Sequence, residues 1–312
     1  MPDTAQWDGR TYYGRAQLKP APFNNALVGS YVFLAGLSGA AQVLATALDY
    51  AAISDAEPVV RHGRLLSLLA PIIGTVCLIC DLHTPKRFYN MLRLVKTTSP
   101  MSLGSWALVA FSGASAISAA PLLVRAGWRQ DSAVAGWLQG LSRVARIPAA
   151  LAGGVLATYT ASLFSATSAP LWAAGAKGLA VRFAAASVAS AASALRLVAR
   201  SGRRRRDLDS LAVAGLAIEL GATLASDHAQ QQAGVRQTPS SRDIAGVAVP
   251  LVLFLASDFL PRRAQAISQV AAAAALTGSL LMRIGVIKDG EQSAAQPNVS
   301  LRLAQPDNLP RR

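Results

Sequence analysis

Long apolar blocks separated by short polar pieces dominate the chain, near residues 26–48, 65–82, 102–125, 147–168, 178–199, 208–226, 244–260 and 264–286. Each block holds about 17 to 24 positions, which matches the ~20 residues a helix needs to cross the hydrocarbon core of a bilayer. In lipid only helices and closed barrels satisfy every backbone N–H and C=O, and blocks this long without alternation cannot be barrel strands. The pattern therefore predicts an all-α fold, a polytopic transmembrane helical bundle of about eight spans. A polar segment, 1–25, precedes the eight-helix domain at 26–286, and residues 287–312, polar and Pro-containing, are expected to form an extended tail available to a partner. The N-terminal stretch lacks the charged-then-apolar order of a cleaved signal peptide, so the first span itself is expected to drive insertion.

The fifth block is the only one interrupted by two arginines, Arg182 and Arg196, both close enough to its ends that snorkelling toward headgroups is the expectation. Blocks four, five and eight are rich in Ala, Gly and Ser, which lets neighbouring backbones approach closely. Pro71, Pro121, Pro148 and Pro250 fall within or at the edges of spans, where neighbours can re-satisfy the freed carbonyls. The two halves show no internal repeat, which disfavours a transporter built on inverted repeats.

Composition agrees with a bilayer: 52% of residues are hydrophobic and only 15% charged, against about 25% charged in soluble domains. The formal net charge is +14. In a soluble protein that surplus would suggest nucleic acid; here the basic residues cluster at span ends, where membrane lipid headgroups meet them, and no nucleic-acid partner is expected. An even number of spans puts both termini on one face. The arginine excess, including the run Arg203–Arg206, falls on the other, which the positive-inside rule makes cytoplasmic. Both termini are thus expected on the periplasmic or extracellular side of the cell's inner membrane. Cys77 and Cys80 sit inside the apolar stretch IIGTVCLICDL and read as packing or lipid-facing residues; a tetrahedral metal site would need two more ligands nearby.

An ionisable group inside a membrane costs roughly 2.5 to 3.5 kcal/mol on insertion scales, so its position is informative. Following each span by direction brings polar groups from several helices to the half of the membrane that holds the termini. Asn25 and Tyr31 start span one, Asp81 and His83 end span two, and Ser102 and Trp106 start span three. Tyr159 and Thr160 come late in span four, Glu219, Asp227 and His228 in the last part of span six, and Arg283 near the end of span eight. Interfacial anchoring explains any one of these as well as function does, least well Glu219 and Asp81. A quinone site requires donors such as Tyr or His to the ring carbonyls, apolar walls for the isoprenoid tail, and a carboxylate or His to exchange protons with water; the cluster contains each type. With three histidines and two cysteines, neither a bis-histidine haem nor Fe–S ligation is supported, and no bound metal is expected. Electrons would pass directly between a quinone ring and a cofactor in another chain.

The stretch DLHTPKRFYNMLRLVKTTSPMSLGSW, residues 81–106, resembles the NrfD/PsrC family, the membrane subunits of polysulfide-reductase-like complexes. The matching positions are Asp81, Leu82, Pro85, Arg87, Phe88, Asn90, Met91, Ser99 to Ser102, Gly104 and Trp106, with His83 and Thr84 where the family has Gly and Arg. YYGRAQLKP at Tyr12 to Pro20, YTASLFSATSAPLW at Tyr159 to Trp172, and the closing GSLLMRIGVIKDG around Arg283 are similar as well; from 180 to 260 the likeness is in hydropathy and Glu219. The resemblance implies an eight-helix anchor without a cofactor of its own, which binds menaquinone or ubiquinone as substrate beside a docked, ferredoxin-like Fe–S subunit, with a molybdopterin-type catalytic subunit completing the complex. It also implies that Tyr159, Asp81, His83 and Asn25 line the quinone pocket. Tyr31, at the same end of span one, is a further candidate, and Glu219 and Arg283, with Asp227 and His228, would serve proton transfer or charge balance. The basic, amphipathic loop Lys86–Pro100 lies in the interface or receives the Fe–S partner. A membrane transporter and a purely structural anchor stay open as other readings. A transporter predicts a polar site at the midplane, and a structural anchor predicts tolerance of changes at Tyr159 or Asp81.

Overall fold

The computed structural model describes residue 18 and residues 23–53, 55–124, 133–236, 240–260, 262–296 and 299–300. Almost all of YYGRAQLKP lies outside the described residues, as does the end of the tail from 301. The described residues fold into nine α-helices: α1 (Asn25–Tyr50), α2 (Glu57–Asp81), α3 (Pro100–Val124), α4 (Ala133–Ser165), the short α5 (Pro170–Ala174), α6 (Ala176–Val198), α7 (Gly202–Gln232), α8 (Ser241–Phe259) and α9 (Ala264–Ala295). A 3₁₀ helix, Pro85–Leu92, joins α2 to α3, and no strand occurs among the described residues.

Local chemistry sets the helix starts. Asn24 caps α1, its side-chain oxygen accepting from the N–H groups of Ala26 and Leu27 at 3.1 Å. Prolines occupy the first turns of α2 and α5, where no intrahelical donor is lost. Seven helices are long and apolar enough to cross a membrane. The eighth long helix, α8, is 19 residues with Arg242, Asp243 and Asp258 near its ends; with it the bundle has the predicted number of about eight.

Packing divides the bundle into two groups, α1–α4 and α6–α9, with α1 and α6 between them: α1 packs on α2, α4, α6 and α9, and α6 on α4, α7 and α9. Small residues permit the closest crossings. Gly39 of α1 meets the backbone of Gly153 in α4, and Gly246 of α8 meets Gly278 of α9, with no room for a side chain on Gly39 or Gly278. Phe111, Leu156, Phe164, Trp172 and Phe183 form an aromatic and aliphatic core where the groups join. Leu69, Ile72, Ile73 and Val76 on α2 and Leu151 and Val155 on α4 point outward, the lipid-facing pattern of a membrane bundle.

Several expectations change. The fourth helix begins at Ala133, well before the apolar block at 147, and α9 continues to Ala295, so the start of the expected extended tail is helical. Arg182 and Arg196 do not snorkel. They are 5% and 3% exposed and turn inward to Asp243 (2.8 Å) and Asp209 (2.9 Å), because a carboxylate on a neighbouring helix pairs with each guanidinium inside the bundle. Cys77 is half-buried against the core and Cys80 exposed, both as free thiols.

Candidate functional site

The start of α1, the end of α2, the start of α3, the end of α4 and the end of α9 meet at one end of the bundle. There the backbone N–H of Asn24 donates to Asp81 Oδ1 at 2.7 Å, tying the first turn of α1 to the last of α2. The Asn25 side chain lies beside the Glu291 carboxylate on α9, and Asp81 lies close enough to act on Glu291 electrostatically. Two carboxylates and an amide from three helices thus share one small region.

Tyr31, buried one and a half turns further along α1, packs on Gly74 of α2 and lies within electrostatic reach of Tyr159. Tyr159 lies against Gly104 of α3, whose missing side chain leaves the space its ring takes, and its hydroxyl donates to the carbonyl of Pro100. The ring is half-buried. Trp106, on α3 beyond Gly104, keeps its indole N–H buried and without an acceptor. Ser102 serves the loop instead, donating to Leu94 O at 3.3 Å and accepting from Lys96 N at 3.0 Å. His83, in the bend after α2, is exposed. The 3₁₀ helix after it carries Phe88, Tyr89 and Met91 largely exposed beside Lys86, Arg87 and Arg93.

The remaining predicted residues form a second, charged group within α6–α9. Arg283 is fully enclosed: its guanidinium donates to Ser279 O, Ser279 Oγ, Phe183 O and Ser187 Oγ and lies 5.3 Å from the Phe183 ring centroid and 5.9 Å from that of Phe33. Glu219, 2% exposed, interacts electrostatically with Arg283, Arg182 and Asp243. At 1.5 Å per residue, Glu219 and Arg283 lie about 20 Å inside the ends of their helices, near mid-depth. From there charges continue outward through the Arg182–Asp243 pair to Asp227, Arg236 and Asp289, with Arg236 bridging Asp289 at 3.1 Å and Asp227 at 3.6 Å. A cavity of about 20 Å³ beside Arg182, Asp227, Gln230, Asp243 and Asp289 has room for about one water. Asp227 also anchors the connection to α8 by accepting from Ser240 N at 3.0 Å. His228, the next residue, is exposed and hydrogen-bonds Gln232 at 2.9 Å.

The structure thus separates what the sequence suggested as one cluster. Asn25, Tyr31, Asp81 and Tyr159 belong together; Glu219, Arg283 and Asp227 belong to the second group; His83 and His228 join neither. The two groups touch through α1, where Tyr31 looks toward α2 and Phe33, two residues on, covers Arg283. Sequence reasoning missed Asp243, Glu291 and Gly104 as participants. Charge complementarity between Arg182 and an acid in the first turn of another span was the available signal for Asp243.

Long apolar helices around inward-turned charges define a multi-pass membrane protein with tyrosines and carboxylates gathered at one end of its bundle. The sequence matches the family described as "Polysulphide reductase, NrfD" over residues 16–226, and the chain belongs to that family. Membership marks it as a membrane subunit of the quinone-reactive oxidoreductase class, whose members associate with catalytic and Fe–S subunits. The match ends within α7, so α8 and α9, with Asp243, Arg283 and Glu291, lie beyond it. No curated protein matches the chain.

Proposed function

We propose that the chain exchanges electrons and protons between a membrane quinone, menaquinone or ubiquinone, and a docked Fe–S subunit, with a molybdopterin-type subunit carrying the substrate chemistry. The observation that supports this reading is the placing, at one end of the bundle, of Tyr31 near Tyr159 and of Asp81 on the Asn24 N–H, with the exposed basic and aromatic 3₁₀ helix following α2 there. Tyr159 can turn its hydroxyl from Pro100 O to a ring carbonyl. Asp81, with Glu291 beside it, exchanges the proton with water. In the oxidative direction a quinol gives up two electrons to the Fe–S subunit and two protons to this face; the reductive direction takes up the same. The 3₁₀ helix, exposed along its whole length, suits the Fe–S subunit as a docking ridge, which keeps the electron path short. We place this face on the periplasmic side, from the arginine excess at the other.

A second reading, in which electron transfer also drives protons through the bundle, is favoured by one observation. Glu219 and Arg283 are buried at mid-depth within electrostatic reach of Arg182, which with Asp243 and Asp227 borders a water-sized cavity.

The test uses the purified complex carrying Asp81→Asn or Tyr159→Phe. The amide introduced by Asp81→Asn keeps an oxygen to accept from the Asn24 N–H but cannot carry a proton, so quinol-linked turnover should fall about 10²-fold or more. Tyr159→Phe removes one neutral hydrogen bond to the ring and should weaken apparent quinone affinity about two- to tenfold. Both variants should assemble normally by size-exclusion chromatography. Unchanged quinol turnover in both rules the reading out.

A further inference from the structure

At the end of the bundle away from Tyr31 and Tyr159, two cavities adjoin between α1, α2, α3 and α4. One, about 260 Å³, is bordered by Asp49, Arg61 and Arg64; the other, about 160 Å³, by Arg64, Arg143 and Arg146. Arg64 and Leu122 line both, so the two form one cleft around a central arginine. Nothing in the quinone chemistry uses it.

Charge in the cleft is unbalanced. Asp49 takes both Arg64, at 2.9 Å, and Arg146 on its single carboxylate. Glu57 is the other acid on the walls, against four arginines, which leaves a surplus of two positive charges among the described residues. Arg64 is buried to 7% exposure, yet its Nε–H finds no acceptor; the Nε–H of Arg146 is also buried without one. Each such donor forfeits a charge-assisted hydrogen bond.

The polar groups immediately behind the cleft show no such deficit. Ser67 donates to Gln42 Oε1 at 2.7 Å, Gln42 donates to Thr46 Oγ1 at 3.2 Å, and Ser142 donates to Ser118 O at 2.8 Å. These side chains are satisfied, whereas the guanidinium groups of Arg64 and Arg146, two residues that line the cleft, keep donors without acceptors. Guanidinium forks match the oxygens of a phosphate. The other walls, Leu48, Ile53, Val60 and Leu122, are apolar, as the stem of an acyl chain requires and a free anion does not.

From this geometry we infer that the cleft holds the phosphate headgroup of an anionic phospholipid, with Arg64 and Arg146 on the phosphate oxygens and Arg61 and Arg143 at the rim. A phosphate supplies the acceptors that Asp49 cannot, and the arginine surplus selects an anionic headgroup over a zwitterionic one. Basic clefts between spans at the cytoplasmic side are general sites for such lipids, and the arginine-rich end of this bundle is the one the positive-inside rule assigns to that side.

The experiment uses the full chain in its complex, stripped of lipid in detergent, and titrated separately with phosphatidylglycerol, phosphatidylcholine and inorganic phosphate. Unfolding midpoint and native mass spectrometry are the readouts. Phosphatidylglycerol is expected to raise the midpoint saturably and give a one-to-one adduct, phosphatidylcholine and phosphate to do neither. Arg61→Gln with Arg143→Gln, both exposed at the rim, should weaken that binding about 25-fold or more, at roughly five- to tenfold for each charge. An equal response to phosphatidylcholine, a response to phosphate alone that matches the lipid's, no response of the unmodified chain, or full binding by the double variant would each overturn the inference.

Discussion

Arg283→Met should be the most destabilising single change near the membrane midplane, and its cost should depend on Glu219. Arg283 is 1% exposed, and its guanidinium holds two serine hydroxyls and two backbone carbonyls on α6 and α9. Around it the buried charges balance: Arg182 and Arg283 against Asp243 and Glu219, with Arg182 already committed to Asp243 at 2.8 Å. Met fills much of the arginine volume but leaves two serine hydroxyls and two carbonyls without their donor, and removes one of the two cations, Arg283 and Arg182, that act on Glu219. Removing one partner of a buried pair costs about 3 to 5 kcal/mol, or about two to nearly four orders of magnitude in the folding equilibrium. Replacing both partners by neutral groups is often close to neutral, so Glu219→Gln on top of Arg283→Met should recover about 2 kcal/mol or more. The assay is reversible unfolding of the detergent-solubilised chain in mixed micelles of increasing SDS content, followed by helix signal, for the two single variants and the double. A single variant within about 1 kcal/mol of the parent, or a double variant no more stable than Arg283→Met, would refute the claim that the charges of Glu219 and Arg283 are coupled.

Two glycines give sharper tests of packing. Gly104→Ala puts a Cβ into the Tyr159 ring; displacing the ring should cut quinol turnover while the complex still assembles, at an overpacking cost of about 1 to 3 kcal/mol, measured by turnover and thermal midpoint together. Gly39→Ala meets the backbone carbonyl of Gly153 rather than a movable side chain. It should therefore lower the midpoint of the whole chain, without a separate effect on quinone affinity in the fraction that folds.

Much of the fold was legible because a bilayer imposes one simple requirement, a run of about twenty apolar residues per crossing. The pattern falters where helices leave that environment. The first turns of α4 contain Gln139, Arg143 and Arg146, polar residues with good helix propensity that extend the helix without adding hydropathy. In α9 the helix persists through Lys288, Asp289 and Glu291, because Trp172 packs at Gly290, Asp289 pairs with Arg236, and Glu291 meets Asn25. None of those partners is near in sequence. Arg182 was misjudged for the same reason: its depth in the span suggested headgroups, whereas Asp243, on a helix distant in the chain, holds it inside. The end of the bundle to which the polar residues run followed from counting spans. Which of them touch did not, since rotation about each helix axis, set by glycine crossings such as Gly39 with Gly153, decides whether Tyr31 faces α2 or Arg283.

The central claim is that a quinone ring binds among α1, α2 and α4 at the end holding Tyr31, Asp81 and Tyr159. An azido-quinone photolabel applied to the intact complex, with labelled peptides identified by mass spectrometry, addresses it directly. The label should appear on peptides containing those residues and disappear with excess natural quinone. Label confined to α6–α9 or to the arginine cleft at the opposite end, or label that excess quinone leaves unchanged, would contradict the account.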